Sequence, residues 1–248
     1  EEINRRIVDH ISDINLTYST IAREYLLREG LPPDRVIKVG SPMKEVIQSQ
    51  QTKIDESEIL TKLGLKERDY FVVSVHREEN IDSPTLLEQL VESLNRIATA
   101  FERRLIFSVH PRTNRRLQQS GFVFDDRVEL LKPLSFTDYL QLQRKSLAVL
   151  SDSGTITEEA SLLKFAALNL REAHERPEGV EESPVIMTGL NGDRILQALS
   201  VVVRQSGEEE PCLRVVQDYD VDNVSEKVIR ILLSYTDYVN RVVWRKPR

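Results

Sequence analysis

The sequence predicts an α/β fold, a Rossmann-like doubly wound parallel sheet, on three observations. Short apolar segments rich in Val, Ile, Leu and Phe alternate with longer segments whose apolar residues recur at helical spacing. The connections between them are short, which is typical of parallel strands joined by helices. Several apolar segments also run directly into reactive polar residues, as expected at the carboxyl edge of such a sheet, where ligands bind.

The predicted elements follow from apolar periodicity and from start and stop signals such as Ser19 and Gly64. The predicted strands are Ile14–Tyr18, Val36–Val39, Tyr70–Val75, Arg104–Val109, Val128–Leu131, Leu147–Leu150, Ala166–Leu170 and Val185–Thr188. The predicted helices are Glu1–Ser12, the segment from Ser19 to Arg28, Ile54–Leu63, Pro84–Arg103, Phe136–Lys145, Thr155–Lys164, Asp193–Val203 and Val224–Val243. A turn is predicted over Gly207–Pro211.

The composition limits the classes of protein and of partner. The chain has 248 residues, of which 40% are hydrophobic and 30% charged, and its net charge is −6. An acidic chain disfavours a nucleic-acid partner, and no apolar run approaches the ~20 residues of a membrane span. The lone Cys212 excludes an internal disulfide and a cysteine zinc cluster. With no signal peptide, a cytoplasmic location is expected. The first helical pattern is already under way at Glu1, so we expect a fragment of a longer protein.

Histidines gather at one edge of the predicted sheet. His76 follows the predicted strand Tyr70–Val75 and His110 the strand Arg104–Val109, and His174 lies in the loop after the strand that ends at Leu170. Three of the four histidines therefore fall at the same edge, while His10 lies on the polar side of the first helix. A single histidine is more often structural than catalytic, but the shared location favours a functional site.

The stretch from Leu147 to Glu159 predicts an anion site. A buried strand, a turn of small residues and a helix N-terminus place unpaired backbone N–H groups and the positive end of a helix dipole together. Ser153 and Thr155 add hydroxyl groups, and Gly154 permits close approach of a phosphate to the backbone. Glu158 or Glu159 is placed to accept from a ribose hydroxyl. The alternative is an ordinary N-capped helix whose Ser or Asp binds only its own backbone.

The motifs that are absent narrow the chemistry. The sequence contains no GxGxxG, no GxxxxGK[ST] and no GxSxG, so a dinucleotide fingerprint, a Walker loop and a hydrolase elbow are excluded. Neither HxH nor HExxH occurs, and no metal site is predicted. A rim of His, Arg, Ser and a helix N-terminus in an acidic protein indicates a phosphorylated small molecule.

Four motifs, in order, resemble those of the non-hydrolysing UDP-N-acetylglucosamine 2-epimerases. They are VSVHREENID at 73–82, His110-Pro111, the stretch 151–159 and HERPE at 174–178. The similarity extends from Glu1 to the last helix, and LSDSGTITEEA and LREAHERPEG are most similar to the branch acting on 6-deoxy sugars, which forms UDP-N-acetyl-L-fucosamine. The resemblance implies the C-terminal domain of a GT-B-type two-domain fold. Residues 1–40 would be a remnant of the N-terminal domain, 41–223 the UDP-binding domain and 224–248 a helix returning towards the N-terminal domain.

The resemblance also implies a reaction and its residues. UDP would be eliminated with loss of the C2 proton and would add back after reprotonation on the other face, without cofactor or metal. It assigns catalysis to Glu1, with Glu2 as a neighbouring alternative, and to His76; other catalytic carboxylates would precede residue 1. His76, Ser153, Gly154 and Thr155 would bind the diphosphate, Glu159 the ribose, and Leu134 and Tyr139 the uracil. Arg77 and His110 match a second, regulatory nucleotide-sugar site.

Two departures and several alternatives accompany this resemblance. Thr155 stands where the family usually has Gly, so a hydroxyl is expected to replace one backbone contact with the phosphate. Glu78 stands where many members have Arg, which weakens the expectation of a regulatory site. A homodimer is usual in the family, with a UDP-sugar as the substrate and surface polysaccharide precursors as the product class. The alternatives are a hydrolysing UDP-GlcNAc 2-epimerase, a transferase of the same architecture, and a UDP-binding domain without turnover, which is the expected state of the isolated fragment.

Overall fold

The computed structural model describes residues 2–173, 176–205 and 214–247. These residues divide into two compact units, one formed by Glu1–Ser49 with Val216–Arg248 and the other by Gln50–Val215. The described strands, β1 to β8 in chain order, are Asn15–Thr17, Val36–Lys38, Tyr70–Ser74, Arg104–Ser108, Val128–Leu131, Ala148–Ser151, Ala167–Asn169 and Val185–Met187. The described α-helices, α1 to α12, are Glu2–Ile11, Thr20–Arg28, Met43–Ser49, Gln51–Asp55, Ile59–Leu63, Glu78–Ile81, Pro84–Phe101, Pro111–Ser120, Phe136–Arg144, Ile156–Leu163, Gly192–Gln205 and Val224–Tyr238.

The unit Gln50–Val215 is built on a six-stranded sheet in the order β5-β4-β3-β6-β7-β8. Every pair of neighbouring strands is parallel. Because the chain runs outward from β3 to β5 and then returns to place β6 beside β3, the order reverses between β3 and β6. This is the strand order of a doubly wound fold, and the reversal opens a crevice at the carboxyl ends of those two strands. The predicted fold class is confirmed.

Both faces of this sheet are covered, which explains why its strands read as continuous apolar runs. Successive residues of β3 point to opposite faces. Tyr70 and Val72 belong to one buried cluster with Leu142 of α9, and Phe71 and Val73 belong to another with Leu90 of α7. The two clusters fix the strands rigidly beneath the polar loops at the carboxyl edge.

The other unit contains the parallel pair β1-β2, in which Asn15 lies opposite Val36. The predicted amphipathic helix at the start of the chain is confirmed as α1. Its apolar side chains are exposed, however, with 76% of Ile3 and 75% of Ile11 accessible to solvent. Helical periodicity therefore predicts the conformation of α1 correctly, but it does not predict that the apolar face of the helix is exposed to solvent.

Several predicted boundaries are wrong. The single helix predicted over Ile54–Leu63 is two helices, α4 and α5, because the Ser57 hydroxyl accepts from the N–H of Ile59 and donates to Asp138 instead of continuing the helix. The helices α3, α6 and α8 were not predicted, and the last predicted helix leaves α-geometry after Tyr238 for a π-turn over Val239–Val243. The turn predicted over Gly207–Pro211 lies outside the described residues.

The described helices include none that is long and apolar enough to cross a membrane.

Candidate functional site

The candidate site lies at the carboxyl edge of the sheet, where β3 and β6 adjoin. Ser74 and Ser151, the last residues of these strands, are register partners. The loop that begins at His76 therefore starts beside the turn that contains Ser153. Sequence order alone separates these two segments widely, and the reversal of strand order brings them together.

Asp152 ties these two loops to each other. Its side chain is fully buried, and its carboxylate accepts from the backbone N–H groups of His76, at 3.1 Å, and of Arg77, at 2.9 Å. The side-chain amide of Asn80 donates to the same carboxylate at 3.1 Å. The Arg77 guanidinium returns a bond to the Asp152 carbonyl oxygen at 3.0 Å. From its position in the sequence, Asp152 is expected at most to cap its own turn, and its contacts with the loop after β3 are not predicted.

The His76 side chain is placed by the same carboxylate. Its Nδ1 lies 3.3 Å from Asp152 Oδ1, while 48% of the side chain stays accessible to solvent. One ring nitrogen is thus fixed against a buried anion, and the side chain as a whole remains accessible at the crevice. A half-exposed imidazole at this position is suited to contact a ligand phosphate or to move a proton.

The turn after β6 is organised by its own hydroxyl groups. Ser151 Oγ accepts from the N–H of Ser153 at 3.1 Å, and Ser153 Oγ accepts from the N–H of Thr155 at 3.3 Å. Gly154 lies between them and is half-buried. The N–H that Ser153 accepts belongs to Thr155, which is itself the N-cap residue of α10, so Ser153 holds the turn and is not the capping residue of the alternative interpretation. The hydroxyl of Ser153 retains its proton for one further partner, which here is Thr155 Oγ1 at 3.0 Å.

Thr155 behaves differently from the expectation that its hydroxyl faces a phosphate. Its Oγ1 donates to Glu159 Oε1 at 2.8 Å, and the residue caps α10 without a side-chain bond to the helix backbone. A hydroxyl has one proton to donate. Thr155 therefore acts on Glu159 in this structure, and its contact with a phosphate would require the backbone N–H or a rotated side chain.

Glu159 is a buried carboxylate clamped by side chains. It is 8% exposed, and Gln143 Nε2 donates to its Oε2 at 3.0 Å. Burial raises the pKa of Glu159 above its ordinary value, against the lowering effect of the bonds from Thr155 and Gln143. Gln143 Oε1 is buried without a hydrogen-bond partner. A carboxylate held in this way is a positioned acceptor for a hydroxyl group.

The residues predicted to form a uracil pocket adjoin Glu159 through α9. Leu134 and Tyr139 pack against the apolar cluster that contains Leu142 and Val149. Burial raises the pKa of the Tyr139 phenol, and its hydroxyl bonds to Ser74. Gln143 lies one helical turn after Tyr139 and so reaches the same edge. Gln143 is not among the predicted site residues; its spacing from Tyr139 on the predicted helix placed it on the same face, but not against Glu159.

Further ion pairs line the same edge beyond β7. The buried Arg171 lies 3.5 Å from Glu79, and Arg176 lies 3.3 Å from Glu158, which is only 2% exposed. The side-chain oxygen of Asn169 is buried without a hydrogen-bond partner beside a cavity of about 250 Å³. His174 and Glu175, which carry part of the fourth motif, lie outside the described residues.

The predicted second nucleotide-sugar site is arranged differently from the first. The His110 ring accepts from the N–H of Arg112 at 3.3 Å and so caps α8. Arg112 pairs with Glu78 and, at 2.5 Å, with Asp82. Arg77 is turned towards Asp152 as described above. The contacts of His110 thus belong to a local helix cap, whereas those of Arg77 belong to the site at Asp152.

The catalytic assignment at the start of the chain has less structural support. Glu1 lies outside the described residues. Its neighbour Glu2 is on α1, where bonds from Arg5 and Arg6 lower the pKa of its exposed carboxyl to about 2. Among the described residues, no three His, Cys, Asp or Glu side chains are grouped so that they could hold a metal ion.

The strand order and this site define a class: a Rossmann-like unit of the GT-B-like type whose carboxyl edge carries the hydroxyl-rich turn at Ser153 and the buried carboxylate of Glu159. The UDP-N-acetylglucosamine 2-epimerase family model matches residues 1–233. The chain belongs to that family.

Individual relatives agree with this assignment. The chain is 32% identical over 214 residues to a UDP-N-acetylglucosamine 2-epimerase of Methanocaldococcus jannaschii, covering 83% of this chain and 58% of the relative. It is 27% identical over 240 residues to the Bacillus subtilis enzyme, covering 96% and 62%. The chain thus spans about three-fifths of the length of these curated relatives.

Solved structures show the same likeness. A UDP-N-acetylglucosamine 2-epimerase from Rickettsia bellii superposes with a TM-score of 0.89 at 44% identity, covering 99% of this chain and 66% of that one. The Methanocaldococcus jannaschii enzyme in complex with UDP-GlcNAc and UDP superposes at 0.85 and 28% identity, covering 94% and 64%. The wall teichoic acid polymerase TagF, at 0.51 and 16% identity, shares the fold alone.

Proposed function

We propose that this chain is the UDP-binding part of a UDP-N-acetylhexosamine 2-epimerase that inverts C2 without hydrolysis. The observation that carries the proposal is the junction of His76, the Ser153 turn and Glu159 at the reversal point of a parallel sheet. Such a crevice is where open α/β sheets bind nucleotides. A relative of this chain has been solved in complex with UDP-GlcNAc and UDP.

The proposed reaction needs groups of the kinds present at this edge. A base removes the C2 proton, the C1–O bond breaks with its electron pair going to UDP, and a C1=C2 double bond remains in the glycal. Reprotonation on the other face of C2 and attack of the UDP oxygen on C1 restore the nucleotide sugar. Stabilising the departing diphosphate is the task we assign to His76 and to Ser153, Gly154 and the Thr155 backbone.

We assign nucleoside recognition to the adjoining cluster. Glu159 accepts from a ribose hydroxyl, since both of its oxygens keep unused lone pairs beside the bonds from Thr155 and Gln143. Tyr139 and the Leu134 backbone hold the uracil. Of the carboxylates that act at C2, we assign Glu1 to the remnant of the N-terminal domain over residues 1–40. We assign the others to the part of that domain that this chain does not include.

The finer assignments are also proposals. We favour a 6-deoxy UDP-sugar destined for surface polysaccharide precursors, because LSDSGTITEEA and LREAHERPEG resemble that branch. A cytoplasmic homodimer is the proposed state. Glu78, which stands where many family members have Arg, pairs with Arg112, and this departure argues against regulation through Arg77 and His110. The alternative is a hydrolysing epimerase, which would release a free sugar and UDP.

The first test separates binding from turnover. Calorimetric titration of this chain with UDP is expected to show binding that His76→Ala weakens, and the same substitution in the complete enzyme is expected to lower turnover by ~10²-fold or more. An unchanged rate removes His76 from the mechanism. Incubation of the complete enzyme with candidate UDP-sugars in D₂O is expected to place deuterium at C2 of retained UDP-sugar. Release of free sugar would instead identify the hydrolysing reaction.

A further inference from the structure

Asp152 carries a combination of features that the proposed function does not use. A buried carboxylate is costly unless donors surround it. Here the backbone N–H groups of His76 and Arg77 and the amide of Asn80 all donate to it, and it is fully buried. One of its oxygens also lies 3.3 Å from Nδ1 of the His76 ring.

We propose that Asp152 is a positioning residue that acts through His76. Its carboxylate fixes the backbone of the loop and holds the neutral imidazole in the tautomer that carries the proton on Nδ1. Nε2 is then the ring nitrogen that exchanges a proton with a ligand. The role of Nε2 towards the leaving diphosphate rests on the proposed function. The tautomer itself is a property of the chain without ligand and can be measured independently.

The geometry favours this tautomer for two reasons. Nδ1 lies 3.3 Å from a carboxylate oxygen, so a proton on Nδ1 is attracted by the negative charge, whereas a lone pair on Nδ1 is repelled by it. The carboxylate cannot turn away to relieve that repulsion, because the loop backbone and Asn80 hold both of its oxygens. A free histidine in water prefers the proton on Nε2, so the expected tautomer is the less common one.

The experiment is nitrogen-15 NMR of the histidine rings in this chain without ligand, at about pH 8, where an ordinary histidine is neutral. His76→Gln identifies the His76 signals by their loss. We expect Nδ1 of His76 to resonate as a protonated ring nitrogen and Nε2 as an unprotonated one. The reverse pattern in the unmodified chain overturns the proposal, whatever any variant does.

Two variants separate positioning from support of the fold. In Asp152→Asn the proton of His76 is expected to move in large part to Nε2, and affinity for UDP to fall ~10-fold, equivalent to about 1.4 kcal/mol. Asn80→Ala removes a donor from the same carboxylate but leaves the anion beside Nδ1. It is expected to keep the wild-type tautomer and an affinity within a few-fold of wild type.

The possible results are distinguishable. If both variants weaken UDP binding equally and neither changes the tautomer, Asp152 only supports the loop and the proposal fails. If Asp152→Asn does not fold, the unmodified chain and Asn80→Ala still decide the tautomer. Failure of the unmodified chain to bind UDP would remove the proposed function, while the tautomer measurement would stand on its own.

Discussion

The turn after β6 and the first turns of α10 each hold a buried carboxylate, but they hold it by different means. Asp152 is surrounded mainly by backbone N–H groups from the loop after β3. Glu159 is held by the side chains of Thr155 and Gln143. Burial raises the pKa of Glu159. The backbone donors at Asp152 are fixed by the sheet, whereas the donors at Glu159 can rotate.

This difference separates a structural tie from an adjustable acceptor. Donors on the backbone cannot be withdrawn without moving a strand end, so Asp152 fixes the relative position of two loops. Donors on side chains can be exchanged for a ligand hydroxyl, which suits Glu159 to recognition. Substitutions at the two carboxylates and at an exposed ion pair test this contrast, from the largest expected effect to the smallest.

Replacement of Asp152, which ties the two loops together, is expected to have the largest effect on the free energy of unfolding. Asp152→Ala removes the acceptor of the part-buried backbone N–H groups of His76 and Arg77 and one of the two acceptors of the Asn80 amide, which keeps the Leu170 carbonyl oxygen. We expect it to lower the free energy of unfolding by about 3–5 kcal/mol, at about 1–3 kcal/mol for each unpaired group. Urea unfolding of this chain measures the change. Asn80→Ala is the matched control, with an expected loss of about 1–3 kcal/mol. A loss for Asp152→Ala no greater than the control's would contradict the view that the carboxylate ties the loops.

We expect the carboxyl of Glu159, the adjustable acceptor, to make the stability of the chain depend on pH. Because the folded-state pKa of Glu159 is raised, the folded chain holds this proton more tightly than the unfolded chain. The stabilisation of the folded chain by protonated Glu159 is therefore fully present below the pKa of about 4.3 that the residue has in the unfolded chain. This stabilisation is lost as the pH rises through the pKa of Glu159 in the folded chain, with a slope of up to about 1.4 kcal/mol per pH unit.

The variant Glu159→Gln removes this dependence while keeping the size of the side chain. Relative to the unmodified chain, it is expected to gain stability as pH rises through that window and to run parallel above it. Unfolding by urea at a series of pH values measures the difference. A constant difference between the two proteins across the window would show that the Glu159 carboxyl does not titrate abnormally.

Substitution in an exposed ion-pair cluster is expected to have the smallest effect on stability. Arg112 pairs with Glu78 and Asp82 at the surface, where water and salt screen the charges. Arg112→Ala is expected to change the free energy of unfolding by less than about 1 kcal/mol and to leave UDP binding unchanged. Calorimetry with UDP provides the second readout. A marked loss of UDP affinity would place the loop after β4 in the nucleotide site after all.

Part of the candidate site was predictable because its residues directly follow recognisable strands. The apolar segments that end at Ser74 and Ser151 are predicted as buried strands from their composition. The polar residues that follow them must then lie at the carboxyl edge of the sheet. Ser153 and Glu159 fall within one strand-turn-helix, where local spacing decides the geometry. Gln143 was not found, because its contact with Glu159 joins two separate helices.

The sequence by itself determined the alternation of strands and helices, since local periodicity and start and stop residues act within a few positions. It also determined that α1 is amphipathic, but not that Ile3 and Ile11 would remain exposed. Only the tertiary structure decided that β6 lies beside β3 and that Asp152 reaches the His76 loop rather than its own turn. Such contacts depend on which strands become neighbours, and that is fixed by the packing of the whole sheet.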